Sequence, residues 1–458
     1  CTPAVFCPER GDGMLEVLNT LLWGPGTLAL ILGTGAWLTL RTGGFPQRNL
    51  GRALTLSLGR EARRKGRGGV SPFGSLMTAL ASTVGTGNIV GVAAALVSGG
   101  PGALVWMELA AFLGLAAKFA ECMLAVKYRH VRRDGTRWGG PMAVMETRLG
   151  SAGAVLGRFY ALFALLMAFA MGAMAQSGAL ADTFFAAFTL PRWRVGLVTA
   201  VLALAILLGG IRRIAEISTV LVPVMALLYL GGGLAVILGN LRRLPEAVTL
   251  MLRCAVAPEA ALGGALGIVT RREALRWGVA RSVFSNEAGL GSASITAACA
   301  DTDEPVKQGL ISMTGVFFDT MVICTVTGLA ICCSGTLGAA DGNGLPLTGA
   351  ALTLRAFETV LGPLAPWLIG VALGLFAFTS VLGCAVQAET TASYLLGPEA
   401  VRPCRVLYGL AVFVGAVIPM ATVLQLADLA NALMAFPNLV CLLLLSGEIA
   451  GECGRKER

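Results

Sequence analysis

Apolar residues run along this chain in long stretches that do not alternate with polar ones, and Gly, Pro and charged residues punctuate them. The runs predict eleven spans, at about 15–40, 72–98, 102–128, 154–181, 194–211, 214–240, 278–300, 308–334, 362–396, 404–421 and 424–447. Such lengths suit a hydrocarbon core roughly 30 Å thick. Backbone polar groups in lipid must be satisfied internally, and these runs are too long and too uniform for barrel strands, so the spans are expected to be helices. No intervening segment is large enough to fold alone. Residues 1–458 therefore read as one all-α, polytopic transmembrane domain.

Composition agrees. Of 458 residues, 56% are apolar and 13% charged, against about 25% charged in soluble proteins. The net charge of +9 does not form a nucleic-acid groove, because the basic residues cluster between spans. Counted on alternate sides of the spans, 23 of the 35 Lys and Arg fall on one side and 11 on the other, with Lys118 inside a span. The richer side is expected to be cytoplasmic, giving an outside N-terminus and an inside C-terminus in the cell membrane. Trp23, Trp37, Trp193, Trp277 and Trp367 lie near span ends, as interfacial anchors do. The 12 cysteines include no CxxC pair, and most sit in apolar runs, where they read as small hydrophobes rather than metal ligands. Cys1 and Cys7 read as free thiols or, on an extracytoplasmic end, a disulfide. Leu15 to Leu40 has no basic flank before it and is long enough to remain as a span, so no cleavable signal peptide is visible.

Two spans depart from ordinary membrane helices. The second contains Ala81-Ser82-Thr83-Val84-Gly85-Thr86-Gly87-Asn88, and the seventh contains Ser282-Val283-Phe284-Ser285-Asn286-Glu287-Ala288-Gly289-Leu290-Gly291. Glycine costs about 1 kcal/mol in a helix interior, and a carboxylate at the bilayer centre about 2.5 to 3.5 kcal/mol. With the first span (about 15–40) set aside as an accessory, these two lead successive groups of five, about 72–240 and 278–447. Five is odd, so the groups enter the membrane with opposite orientation. Inverted repeats led by interrupted helices place an ion and substrate site near the midplane, an arrangement of secondary transport.

A broken helix exposes N–H groups that attract an anion and C=O groups that attract a cation. An amino-acid zwitterion beside Na⁺ presents both charges. The donors of Gly85, Thr86 and Gly87 are therefore assigned to a carboxylate. Asn88 offers an amide oxygen to a cation, or its NH₂ to substrate or to a neighbouring helix. Thr379 and Ser380, adjacent hydroxyls in the ninth span, are suited to Na⁺ together with carbonyls of Ala81 and Val84. Gln176 is a mid-span amide that serves either substrate contact or packing. Glu287 can balance the cation, take a proton, or cap the broken helix through neighbouring N–H groups; the cap is favoured. Lys118 and Glu121, at i,i+3, read as a structural pair near the cytoplasmic edge. Glu108, Asp319, Glu389 and Asp428 are further intramembrane acids.

Gly85-Thr-Gly87-Asn-Ile-Val-Gly91 looks like a nucleotide fingerprint, but it departs from GxGxxG and has no βαβ context. The sole histidine, His130, lies in a basic loop, and neither HExxH nor GxSxG occurs, so an enzyme is not expected. A channel is the remaining rival to a transporter.

Several long motifs resemble the alanine or glycine:cation symporter family, also called sodium:alanine symporters. They are Ser71-Pro-Phe-Gly through Gly85-Thr-Gly-Asn-Ile-Val-Gly-Val, Gly99-Gly-Pro-Gly-Ala with Trp106-Met, Lys118-Phe-Ala-Glu121 with Val126-Lys-Tyr-Arg129, Gly139-Gly-Pro-Met, Phe284-Ser-Asn-Glu-Ala-Gly-Leu-Gly, and Asp428, Asn431 and Met434-Ala-Phe-Pro-Asn438-Leu. The resemblance covers nearly the whole chain. It implies a LeuT-like fold of about eleven helices, a 5+5 inverted repeat plus an N-terminal helix, and uptake of a small neutral amino acid such as alanine or glycine driven by Na⁺ or H⁺. It implies no cofactor beyond the coupling ion and no obligate protein partner. By resemblance, the Gly85 to Asn88 break contacts the carboxylate, Phe284 closes over the substrate, Gln176 lines the pocket, and Ala81, Val84, Thr379 and Ser380 surround one sodium. The family usually continues with a Trp and two Tyr after Leu382-Gly383, where this chain has Cys384-Ala-Val-Gln387, and Asn residues that usually flank the pocket glutamine are Ala173 and Gly178 here. Cys384 is thus expected either to enlarge the pocket wall or to leave it filled otherwise, and serine, cysteine or a larger neutral amino acid remains an alternative substrate.

Overall fold

The computed structural model describes residues 18–19, 22–64, 70–131, 135–256, 259–261, 268–341 and 344–457. Cys1, Cys7 and the beginning of the first predicted span lie outside the described residues. Each of the eleven apolar runs falls on a helix or a helix pair. The first is α1, Pro25–Arg41, followed by a short amphipathic α2, Leu50–Leu58. The second run divides into α3, Pro72–Thr83, and α4, Val90–Gly99. Next come α5, Gly102–Lys127, and α6, Pro141–Met167, which passes through a π-helical segment, Ala168–Ala175, into α7, Gln176–Phe188. They are followed by α8, Arg192–Leu207, and α9, Gly210–Gly239. After α10, Leu244–Val256, the seventh run divides into α11, Arg271–Asn286, and α12, Ser292–Ala298. The eighth is α13, Pro305–Val316, continuing through π-helical Phe317–Cys324 into α14, Thr325–Ser334. The chain closes with α15, Gly349–Leu361, α16, Ala365–Leu396, α17, Val401–Val417, α18, Met420–Leu444, and α19, Ser446–Glu457.

Among the described residues, seven helical runs are long and apolar enough to cross a membrane singly, or eight with the bent pair α3–α4. The other three predicted spans fall on the 17-residue α1, the 16-residue α8 and the interrupted pair α11–α12. One boundary differs widely from the sequence reading: α6 starts at Pro141, not near 154. Pro at the first helical position favours that start, and Gly150, at φ +62°, turns the first two turns away from the rest of the helix.

The pattern of burial is radial. α3, α5, α12 and α16 are enclosed, whereas α8, α9 and α17 turn Leu197, Val201, Leu202, Leu227 and Leu410 outward, the apolar exterior that a bilayer solvates. Trp37, Trp193 and Trp367 are about half exposed near helix ends, as expected of anchors. Two other tryptophans are not. The Trp23 indole donates to Asp428 O at 2.9 Å, and Trp277 packs beneath Arg281, because each has a polar partner inside the bundle.

At the basic end, a two-stranded hairpin, β1 His130–Val131 and β2 Arg137–Trp138, joins α5 to α6. Arg129 donates to Ala300 O at 2.6 Å and pairs with Asp303 at 2.9 Å, and Arg137 pairs with Asp301 at 2.6 Å. Val70, ahead of α3, forms a parallel bridge with Ala300, just past α12, and its carbonyl accepts from Asp301 N at 2.7 Å. Both broken helices thus begin or end at one pinned point.

Candidate substrate and ion site

α3 starts on Ser71, whose Oγ accepts from Gly74 N at 3.0 Å, with Pro72 next. It ends where Val84 and Gly85 take extended backbone, and after a 3₁₀ turn at Thr86–Asn88 the chain resumes bent by 63°. Glycine at 85 answers a close approach: a Cβ there would stand 2.8 Å from Ser380 Oγ and 3.5 Å from both amide atoms of Gln176. Asn88, fully buried, holds the break from behind. Its Oδ1 accepts from Gly85 N at 3.1 Å, while its Nδ2 donates to the Asp319 carboxylate and to Ser285 Oγ at 3.2 Å. The Asn88 N–H turns back to Gly85 O at 3.3 Å. With those two N–H groups diverted, the carbonyls of Ala81 and Val84 lose the partners that a continuous helix would supply four residues on.

Other sequence-predicted residues gather around this opening. Gln176 stands immediately after the π-helical segment, and its Oε1 accepts from Thr86 Oγ1 at 3.4 Å. Phe284 ring carbons lie 3.6 and 3.8 Å from where a Gly87 Cβ would be. Ser380 Oγ is wholly buried and has no hydrogen-bond partner among the described residues. Thr379 turns aside toward α9, donating to Leu375 O at 2.9 Å and Phe376 O at 3.0 Å and touching Met225 Sδ at 3.2 Å. Cys384 is not brought to the break. It packs one turn away from Ser380 against Gly172, which leaves no room for even a methyl group, with Tyr408 Oη also 3.0 Å from the position of that Cβ. The wall that the missing aromatic would have formed is filled by close approach of the π-helical segment, which glycine at 172 permits.

The second break, residues 287–291, is closed by the protein's own groups. Glu121 Oε2 accepts from Gly289 N at 3.2 Å, Gly291 N at 3.1 Å and Asn438 Nδ2 at 3.1 Å. Lys118 donates to Glu287 O at 3.1 Å and pairs with Glu121 at 3.5 Å. Asn438 Nδ2 also donates to Gly289 O at 2.9 Å. The expected Lys118–Glu121 pair forms, and it packs against the second break. One expectation is corrected. The N–H groups of the break are capped by Glu121, while Glu287, at φ +52°, takes the Ser292 hydroxyl instead.

Two acids expected as candidates are engaged elsewhere. Glu108 accepts from Thr325 Oγ1 at 2.8 Å, and Glu389 binds Arg405 through two 2.8 Å hydrogen bonds at the basic end. Sequence reasoning missed Ser285 and Arg281. The Arg281 guanidinium lies 5.4 Å from the Trp277 ring centre and 5.5 Å from that of Phe284, with Asp428 as its opposing charge. Its spacing from two aromatics, four residues before and three after, was the available signal.

A bundle of long apolar helices, one of them broken beside a buried hydroxyl, is an arrangement found in membrane transporters. Comparison with known proteins gives the family. The model of the sodium:alanine symporter family matches residues 9–454, and the chain belongs to that family. It is 43% identical over 434 residues to an uncharacterized transporter of Haemophilus influenzae, covering 94% of this chain and 93% of that one. It is 42% identical over 441 residues to the sodium/alanine symporter AgcS of Methanococcus maripaludis, covering 96% of each. A probable sodium/glutamine symporter, GlnT of Bacillus subtilis, is 36% identical over 440 residues, covering 95% and 88%. The protein is a multi-pass membrane transporter and not an enzyme.

Proposed function

We propose that the protein is a secondary active transporter that couples entry of Na⁺ to uptake of a small neutral amino acid by alternating access. The observation carrying this reading is the buried, unpartnered Ser380 hydroxyl facing the first break. Ser380, the Ala81 and Val84 carbonyls and, on the α9 side, Thr379 offer oxygen ligands to Na⁺. The N–H groups of Thr86 and Gly87 receive the substrate carboxylate, Gln176 lines the pocket and Phe284 covers it. Asn88, its amide engaged on both sides, keeps the break in shape. The basic end faces the cytoplasm, which puts the N-terminus outside.

The energy suffices. A tenfold sodium gradient supplies about 1.4 kcal/mol and 100 mV about 2.3 kcal/mol per charge, enough for several-hundredfold accumulation per Na⁺. Alanine and glycine suit a break closely approached by Ser380, Gln176 and Phe284. The relative named a glutamine symporter supports a second reading, a larger neutral amino acid in the same site. Proteoliposomes offered labelled alanine, glycine, serine and glutamine, with a sodium gradient, a proton gradient or neither, decide between them. Saturable alanine uptake that collapses with the sodium gradient is expected. Uptake indifferent to sodium, or non-saturable flux of a channel kind, refutes the proposal.

A further inference from the structure

Between the first break and the basic end, α16 and α9 carry polar groups for which the fold supplies no partner. Gln387 is wholly buried, and among the described residues neither its Oε1 nor its Nε2 has a hydrogen-bond partner; Ser218 Oγ, on α9, has none either. Buried polar groups are almost always paired, so an amide unpaired at both ends marks a place kept for something else.

The two groups lie at one level. α9 and α16 run antiparallel and touch where Thr379 meets Met225. Seven residues, two helical turns, toward the basic end from Met225 reach Ser218, and the same step from Ser380 reaches Gln387, about 10 Å below the break. Ser380, Gly383, Gln387 and Thr390 fall at i, i+3, i+7 and i+10, one face of α16. α3 covers that face at Gly383, where a Cβ would stand 2.8 Å from Ser82 Cα. At its lower end Thr390 lines a cavity of about 300 Å³ at the basic end, shared with Val386, Glu389, Arg212 and Arg405.

We infer that Gln387 is a second, transient binding site for the amino acid, between the central site and the cytoplasmic cavity, uncovered when α3 moves off α16. This rests on the transport reading above. A primary amide offers N–H donors to a carboxylate and an oxygen to an ammonium, the two ends of a zwitterion, whereas Na⁺ would use only the oxygen. The Ser218 hydroxyl, at the same depth on the neighbouring helix, adds a further hydrogen-bonding group to that level.

Sodium-driven alanine uptake by the unmodified protein in proteoliposomes is measured first; its absence overturns the transport reading, and this inference with it. Given that uptake, Gln387→Leu is expected to lower the maximal rate about tenfold, the effect of one lost hydrogen bond to a charged group. Equilibrium binding of labelled alanine in sodium and the sodium concentration for half-maximal uptake stay unchanged, and Gln387→Asn recovers part of the rate. A Gln387→Leu rate equal to the parent's overturns the inference. So does a matching loss of binding, which assigns Gln387 to packing of the central site. Should the leucine variant fail to fold, Gln387→Cys keeps the test open. A membrane-impermeant thiol reagent at the basic face is expected to modify it in potassium and not in sodium plus alanine, with the parent and its native thiols as blank. Failure to react in any ionic condition refutes the inference.

Discussion

The two broken helices are made of similar material, glycines beside polar side chains in mid-membrane, and are finished in opposite ways. At the second, a carboxylate, an ammonium and an amide from α5 and α18 occupy the freed backbone groups. At the first, Asn88 ties off one N–H from within the break, and the neighbouring helix contributes a hydroxyl with nothing to bond. What a helix break does is therefore decided by what its neighbours bring to it. An anion–cation pair turns it into a rigid joint, whereas the first break keeps a hydroxyl beside it that makes no hydrogen bond among the described residues.

Substitutions at the two sites sharpen that contrast. The largest effect is expected from Glu121→Leu, which strands the Gly289 and Gly291 N–H groups and the Lys118 ammonium in a buried setting. Breaking one side of such a pair costs about 3–5 kcal/mol, to be read as lost thermal stability in detergent; a variant as stable as the parent would show that the joint is not structural. Gly85→Ala comes next, since its methyl would stand 2.8 Å from Ser380 Oγ. Overpacking of about 1–3 kcal/mol is expected to weaken alanine binding roughly ten- to a hundredfold while the protein still folds, checked by equilibrium binding. Cys384→Trp forces a ring into the contact with Gly172 and is expected to cost about 1–3 kcal/mol of stability without reordering substrates. A reordered preference in a stable variant would instead put Cys384 in the pocket wall.

Ser380→Ala separates the two kinds of break most cleanly. Its hydroxyl bonds nothing among the described residues, so stability in sodium-free buffer should hardly change. The parent should gain about 2.7 kcal/mol when Na⁺ is at a hundred times its dissociation constant, and the variant should lose that gain; a thermal midpoint in sodium equal to the parent's would remove Ser380 from the ion site. Thr379→Ala is expected to raise the sodium needed for half-maximal uptake. The smallest effect belongs to a position outside both breaks. Lys456, assisted by Lys307, holds the exposed Glu304 carboxyl below its ordinary range. Its contribution is present at neutral pH and is lost as the pH falls through that lowered value. Glu304→Gln should cost no more than about 1 kcal/mol, seen as a slightly shallower acid limb of the stability profile.

The spans and the position of each break were legible in the sequence, because hydrophobic length and a glycine beside a polar group are local signals. The finish of each break was not. Glu121 and Asn438 reach the second break from other helices, and no pattern around residue 289 announces them. Arg281 lies inside the predicted seventh span, but its partner Asp428 becomes apparent only once α11 and α18 are adjacent. Cys384 was set against an absent aromatic, while the residue that settles its surroundings, Gly172, lies on a helix whose π-helical turn has no hydropathy signature. Gln387 stands in the sequence only as the end of the altered Cys384-Ala-Val-Gln387 stretch, because a missing hydrogen-bond partner leaves no trace in a hydropathy pattern.

The parallel bridge between Val70 and Ala300, clasped by Arg129 and Arg137, joins the inner limbs of both broken helices into a single lever. Tilting one limb is therefore expected to carry the other with it. The stiffness of that coupling is set by two guanidinium clasps at the basic end.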